Sequence, residues 1–494
     1  LPAGEVRFIF QLSQRWLPRL INEREAVRRW MDALLPLFEE RLEWPPCATT
    51  WKDYAAGMVR NIEQKESAQI EVNGHTGLSA YARDTSHVWK EPKNNFELMT
   101  VSDVLWPSLL YQRLHPSENL QTLLTALTED LPLFYVPALG MFSNDFVHPA
   151  SERVDSWYYF ENGLVKYPTI AMLTDRKDLQ RNFLHAFSYA EKLAGRYANL
   201  FPLYYQSDNL QMEGAGTNYA IGGLYAWGGL LAHHLTGDPR FQDVSKHALN
   251  VLENVPPGRL FHEPQELAFG ALAAAALGLN DLARYLLHEQ LRMFYWYSDP
   301  SQKSHDIRGM VQACASILYP AFKENVESIL PWTGIMKRGL IIDGLLRFMD
   351  QMRRNNFYFF EGCERGHSAA TMPYIPYENL GTLELGGMTG NVGKEIYGSG
   401  EVLWMYLMFE ALGGVADREL MLVNLDLLDV FDVQAFPPHE LNFVLFNPTA
   451  SDRDAVLSIP SAHGEPVRWS AHGEAIPSAV RIPAHKYLRL KAEH

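Results

Sequence analysis

Two glutamates set among tyrosines and glycines are the first residues here that could do chemistry. Glu378 follows Tyr377, and Glu395 stands two positions before Tyr397. They belong to a stretch from Asn355 to Gly414 that also carries Glu361, Glu364, Arg365, His367, Tyr374, Glu384 and Lys394 among many glycines. Cleavage of a glycosidic bond uses two carboxyl groups. One is kept protonated as an acid, and the other stays ionised as base or nucleophile. Glu378 and Glu395 are the leading pair for those roles, because a glycine-rich backbone can set both over a pocket. Loops longer than about 15 residues without structure of their own are uncommon and often functional. This one is too rich in aromatic and aliphatic residues to be a disordered linker.

Further candidates fall just before or at the start of predicted helices. Asp155, Trp157, Tyr158 and Tyr159 mark the start of one, Glu213, Asn218 and Tyr219 that of a second, Glu263 that of a third, and His305 and Arg308 that of a fourth. Helix N-termini present unpaired N–H groups and a positive dipole end, which suit polar ligands and anions. Glu213 is the reserve catalytic carboxyl. Trp157, Tyr158 and Tyr219 are expected sugar platforms, with Tyr159, Asn218, Glu263 and Tyr397 as further substrate contacts. Plainer roles compete with these, since Asp155 can simply cap a helix. A second chemistry also fits. Elimination from a uronate needs a tyrosine or histidine base and a cation over the substrate carboxylate. Tyr377, His305 and His367 could supply the first, and Arg308 and Arg365 the second.

These residues depend on helices for their placement, and the helices come in pairs. Periodicity predicts helices over 22–42 and 49–65, then pairs at 101–114/118–135, 155–173/177–193, 217–236/240–254, 263–278/281–296 and 305–319/324–353, with a last helix over 399–413. Leading helices such as YAIGGLYAWGGLLAHHL are apolar all round, whereas trailing ones such as RFQDVSKHALNVLENV are amphipathic. A helix apolar on every side is buried, and an amphipathic one lies outside. Links within pairs are short and links between pairs are long, so one rim gathers the long loops. The prediction is an (α/α)6 toroid over residues 1–416, closed by an N-terminal helix. Short alternating runs after Asp417 predict an antiparallel β-sandwich over 417–494.

The inner-helix opening NLQMEGAGTNYAIGGLYAWGGLLAHHLTGDPRF, the segment IPYENLGTLELGG…GKEIYGSGEVLWMYLMFEALGG and the tail VLFNPTASDRDAVLSIP…AVRIPAHKYLRL carry a resemblance. The chain resembles the six-hairpin glycosidase superfamily and the related toroid polysaccharide lyases. That resemblance implies a carbohydrate-active enzyme acting on an oligo- or polysaccharide. The acids gathered at the rim put a glycoside hydrolase first, a polysaccharide lyase second and a glycan-binding protein without turnover third.

Composition narrows the field. The 494 residues are 47% hydrophobic and carry a net charge of −15, so a nucleic-acid partner, which calls for a lysine and arginine surplus, is not expected. Three cysteines are too few for a disulfide framework and have no metal-ligand spacing. No cofactor is expected. A structural Ca²⁺ has no signature outside EF-hand-like loops and stays open. No apolar run is long enough to span a membrane. The chain starts at Leu1, which leaves a cytoplasmic protein or a secreted one with its leader removed as the two readings. Nothing in the sequence speaks to oligomeric state.

Overall fold

A computed structural model describes residues 23–34, 43–82, 96–146, 152–214, 216–296, 305–314, 317–360, 372–380, 394–428, 436–459 and 467–493. Six helices form an inner ring. They run Leu98–Leu114, Ser156–Leu173 (in three helical segments), Ile221–Thr236, Pro264–Ala276, Phe322–Lys337 and Gly400–Phe409. Each packs on the next, and the last returns to the first. Six outer helices back them: Glu118–Asp130, Lys177–Tyr197, Pro239–Asn254, Asn280–Leu291, Asp343–Asn355 and, behind Gly400–Phe409, Trp51–Ile62. The N-terminal helix thus closes the ring as its sequence position predicts. Glu23–Leu34 lies outside it against Asn280–Leu291.

Small residues let the inner helices approach closely. A methyl on Gly223 would sit 2.3 Å from the Glu266 carbonyl and 2.9 Å from the Gly270 Cα. Those neighbours are backbone of the next inner helix and cannot swing aside. The second inner helix is π-helical over Tyr159–Lys166, between α-helical turns at Ser156–Tyr158 and Tyr167–Leu173. π-Turns are rare and gather at functional sites.

The fifth hairpin corrects the sequence reading. Residues 305–319 are not an inner helix. Gly309 has φ +84°, and Gln312–Cys314 and Ile317–Pro320 form an antiparallel hairpin instead. The stretch read as one broken helix over 324–353 supplies both members of the pair, Phe322–Lys337 inside and Asp343–Asn355 outside. Lys323, Glu324, Asn325 and Glu327 give the inner one a polar stripe that looks solvated. Lys323, Asn325 and Glu327 are nevertheless buried.

Short pieces lace the mouth of the ring. Gln69–Val72 and His75–Leu78 form a hairpin, turned by Asn73 and Gly74 at φ +53° and +83°, as a type I′ turn requires. The chain then meets the long loop. Tyr81 bridges Glu395, and Tyr377 bridges Lys394. The Ala82 N–H donates to Lys394 O, Glu395 N–H to Pro376 O, and Ile396 N–H to Ala80 O, each at 2.9 Å. Cys47 is disulfide-bonded.

The C-terminal region holds two antiparallel sheets. Five strands are ordered Met421–Asn424, Glu440–Phe446, Tyr487–Glu493, Arg468–Ala471, Glu474–Ile476, and three are ordered Ala479–Ile482, Arg453–Ser458, Gly414–Val415. Lys337 pairs with Asp426 at 2.6 Å and Arg353 donates to Leu420 O at 3.0 Å, tying outer ends of the ring to this region. Among the described residues no helix is long and apolar enough to cross a membrane.

Candidate functional site

The inner helices begin on one side of the ring, and a cavity of about 200 Å³ opens there. Glu97 and Glu263 are the residues just ahead of two of these helices, and Lys323 and Glu324 lie in the first turn of a third. Trp157 and Tyr158 come from the opening turn of a fourth. Glu378 and Tyr397, from the long loop, join Tyr81 on the wall, with Ala80, Met99, Ala313 and Cys314 between them.

Glu378 is the best-supported carboxylate. The Tyr81 hydroxyl donates to it at 2.7 Å and the Tyr319 hydroxyl at 3.0 Å. Burial pushes its carboxyl above the usual range, while the Tyr81, Tyr319 and Tyr397 hydroxyls pull the other way. The other wall carboxyls are shifted chiefly by burial and neighbouring charges. Burial, aided by Asp145 and Asp103, raises Glu97 to about 8. Burial raises Glu324 to about 7 against the pull of Lys323, and the Glu378 charge adds to the rise. Glu263 is driven well up by burial and by surrounding acids, and its Oε2 has no hydrogen-bond partner. Trp157 Nε1 is likewise unpartnered.

Beneath the cavity lies a buried ion cluster. Lys166 Nζ donates to Asp103 and Glu327 and stands 3.3 Å from Glu161. Lys323 Nζ donates to Glu327, lies 3.6 Å from Asp103 and stands 5.1 Å from the Trp157 ring centre. Glu327, gripped by both lysines, is held below its ordinary value although burial opposes this. Glu161 is raised to about 7 by burial and the Glu327 charge, and Glu401 well above its ordinary value by burial and Asp103. Single oxygens of Asp103, Glu327 and Glu401 converge within 4.8 Å of one another, the spacing of a cation site. The Lys166 ammonium already supplies positive charge there.

The expected site residues divide. Glu378, Trp157, Tyr158, Glu263 and Tyr397 come together on the wall. Glu395 sits behind it, fully buried, with its Oε1 2.1 Å from where a methyl on Gly398 would be, so only glycine leaves room for it. Burial, with the Glu324 and Glu378 charges, holds Glu395 well above its usual range. Tyr397 lies close enough to ease this slightly, but no hydrogen bond of good geometry reaches either Glu395 oxygen. Asp155 caps Ser156–Tyr158, accepting from the Trp157 N–H at 2.9 Å, and burial lifts it to about 6. Asn218 is buried and donates to Glu266 at 2.6 Å. Tyr159 donates to Ala186 O in the core.

Others stand off the wall. Glu213 is a partly exposed strut paired with Arg153 at 3.5 Å. Tyr377 lies under the Lys394 ammonium, 5.0 Å from its ring centre. His305 packs on Tyr358, and Arg308 is tied to Asp306 at 2.5 Å. Tyr219 packs partly buried against the core. Arg365 and His367 lie outside the described residues.

Tyr81, Glu97, Lys323 and Glu324 escaped the sequence reading. Glu97 was within reach, because it precedes an inner helix as Glu263 does. Lys323 and Glu324 were lost with the misplaced fifth hairpin. Tyr81 carries no signal of its own.

Glu97 gives a pH test. Its folded value of about 8 exceeds the unfolded carboxyl value, so the fold holds a proton that the unfolded chain gives up. That contribution is complete below the unfolded pKa and fades as pH rises through about 8. Glu97→Gln is therefore expected to gain stability relative to the parent between about pH 5 and pH 8, measured by urea unfolding at both. An unchanged difference would mean that Glu97 ionises freely; Asp145, Asp103 and Tyr158 are the titrating groups around it.

No family model matches the chain, and no curated protein does. Solved structures do. A family 76 glycoside hydrolase from a bovine Bacteroides thetaiotaomicron strain is 10% identical, with a TM-score of 0.51 over 72% of this chain and 77% of its own. A sugar epimerase from a ruminal bacterium is 12% identical, with a TM-score of 0.49 over 72% of this chain and 98% of its own. A cellobiose 2-epimerase from Spirochaeta thermophila is 10% identical, with a TM-score of 0.49 over 72% and 95%. At these identities the likeness is one of fold alone, an (α/α)6 toroid of six helical hairpins.

Proposed function

We propose that this chain is a carbohydrate-active enzyme that hydrolyses a glycosidic bond. One observation carries the reading: four buried or half-buried carboxyls, an indole and tyrosines face one cavity at the N-terminal ends of the inner helices. Glu378 serves as the ionised partner, because two tyrosine hydroxyls donate to it. Glu324 serves as the acid. Its value of about 7 suits proton donation near neutral pH, and it feels the Glu378 charge. Glu395 then positions the loop from behind rather than attacking. Trp157 and Tyr158 are the platforms for a sugar ring.

The cavity, at about 200 Å³, is smaller than the ~300–1,000 Å³ of ordinary ligand pockets. It suits a single ring, and so release of a terminal sugar from an oligo- or polysaccharide. Uronate elimination is the weaker reading. It needs a free cation over the substrate carboxylate, whereas among the described residues Lys323 is engaged by Glu327 and Asp103. Arg308 is committed to Asp306. We further propose that residues 1–416 form the catalytic ring and 417–494 a sandwich of the two sheets, with the Gly414–Val415 strand joining them.

The test is incubation with a panel of aryl glycosides and oligosaccharides, followed by chromatography and ultraviolet absorbance. Hydrolysis releases a sugar without creating a conjugated double bond. A product absorbing as an unsaturated uronide, or no product across the panel, would overturn the assignment.

A further inference from the structure

The wall of the cavity is rich in acids and poor in cations. Glu97, Glu263, Glu324 and Glu378 line it, and Lys323 is the one cation beside them among the described residues. That ammonium is not available to a ligand. It donates to Glu327, stands 3.6 Å from Asp103 and lies 5.1 Å from the Trp157 ring centre. A carboxylate or phosphate placed here would meet four acids and, among the described residues, no open cation.

Two polar atoms on the same wall have nothing to bond. Glu263 Oε2 and Trp157 Nε1 belong to side chains more than nine-tenths buried, and neither has a partner. An unsatisfied buried acceptor is costly, so its persistence calls for an explanation such as a bound ligand. Glu263 asks for a donor, and a positively charged donor answers best. The faces of Trp157 and Tyr158 also favour a cation over an anion.

We infer that the ring held in this cavity is a cationic amino sugar, its ammonium group donating to Glu263 and to the acids around it. This rests on the reading of the cavity as the sugar-binding site. Neutral hexoses fit the same space but give Glu263 no charged donor, and uronic acids find no open cation among the described residues.

The full chain is titrated calorimetrically with glucosamine, galactosamine and mannosamine, with the three matching hexoses, and with glucuronate. The expected result is that one or more hexosamines bind about tenfold or more tighter than the matching hexose, that glucuronate does not bind, and that hexosamine binding releases protons to the buffer near pH 7. The release follows because an ammonium favours the ionised carboxylates over their protonated forms. Glu263→Gln is expected to shrink the hexosamine-to-hexose ratio towards one. Because an inactive variant could simply be misfolded, retention of hexose binding or of the parent unfolding midpoint is read alongside. A hexose bound as tightly as its hexosamine, measurable binding of glucuronate, or failure of all the hexosamines to bind overturns the inference. The two readings fail separately. Hexosamine binding with no turnover of any glycoside sinks hydrolysis alone, and turnover of neutral glycosides with no preference for the amine sinks the amino sugar alone.

Discussion

Replacing Glu378 by Gln is expected to lower kcat on a cleavable glycoside by about 10²–10⁴-fold while leaving the unfolding midpoint near that of the parent. The reason is local. Glu378 accepts from Tyr81 and Tyr319, and these donors stabilise the ionised form that the reaction needs. Gln keeps the shape and an acceptor oxygen but cannot carry the charge. The tyrosines allow a finer check. Tyr81→Phe removes one donor, so the Glu378 value should rise, and the acidic limb of the kcat/KM profile should move to higher pH with it. Loss of activity in Tyr81→Phe without a shift of that limb would indicate that Tyr81 merely shapes the wall. A kcat within a few-fold of the parent in Glu378→Gln would remove Glu378 from the chemistry, and Glu324→Gln and Glu395→Gln would then show which carboxyl takes its place.

How much of this could be read from residues alone depends on where polar side chains point. The ring was legible because its inner helices contrast so sharply with the outer ones. Ile221–Thr236 is buried along almost its whole length, and its partner Pro239–Asn254 only along one stripe. The rule fails where an inner helix carries charge. Phe322–Lys337 opens with a lysine, two glutamates and an asparagine, which periodicity reads as a face in water. The lysine and the glutamates instead meet Lys166, Asp103 and the cavity, and Asn325 accepts from the Val311 N–H. A buried ionic network and a solvated face write the same pattern, and only the tertiary partners tell them apart. The long loop was legible as a site for the opposite reason. Its acids and tyrosines fit neither a helix nor a linker, and Glu378 and Tyr397 do reach the wall. What spacing could not supply was depth. Glu378 and Glu395 look equivalent along the chain, yet Glu395, bridged by its backbone to Tyr81, turns its side chain into the protein, whereas Glu378, next to the Tyr377–Lys394 bridge, turns its side chain to the cavity.

The cluster beneath the cavity is where a single change should cost the fold most. Lys166→Met removes an ammonium that donates to Asp103 and Glu327 and stands 3.3 Å from Glu161. All of these groups are buried, and Lys323 alone cannot neutralise the acids left behind. Breaking a buried pair from one side typically costs about 3–5 kcal/mol, most of it the penalty of an uncompensated charge. Unfolding in urea, followed by circular dichroism, should show a loss of that order. If charge is the cause, adding Asp103→Asn to Lys166→Met should restore a large part of the loss, because one stranded carboxylate goes with it. If the loss reflected packing alone, the second substitution would only add to it. The same variant bears on the site. Lys323 shares Glu327 and Asp103 with Lys166, so without Lys166 it is drawn further towards those acids and away from Glu324. Coulombic relief of Glu324 by Lys323 then weakens, and the alkaline limb of the activity profile, set by the protonated Glu324, should move to higher pH. A stability loss below about 1 kcal/mol, within the range of a surface pair, would show that the buried charges reorganise freely and that the cluster does not anchor the floor of the cavity.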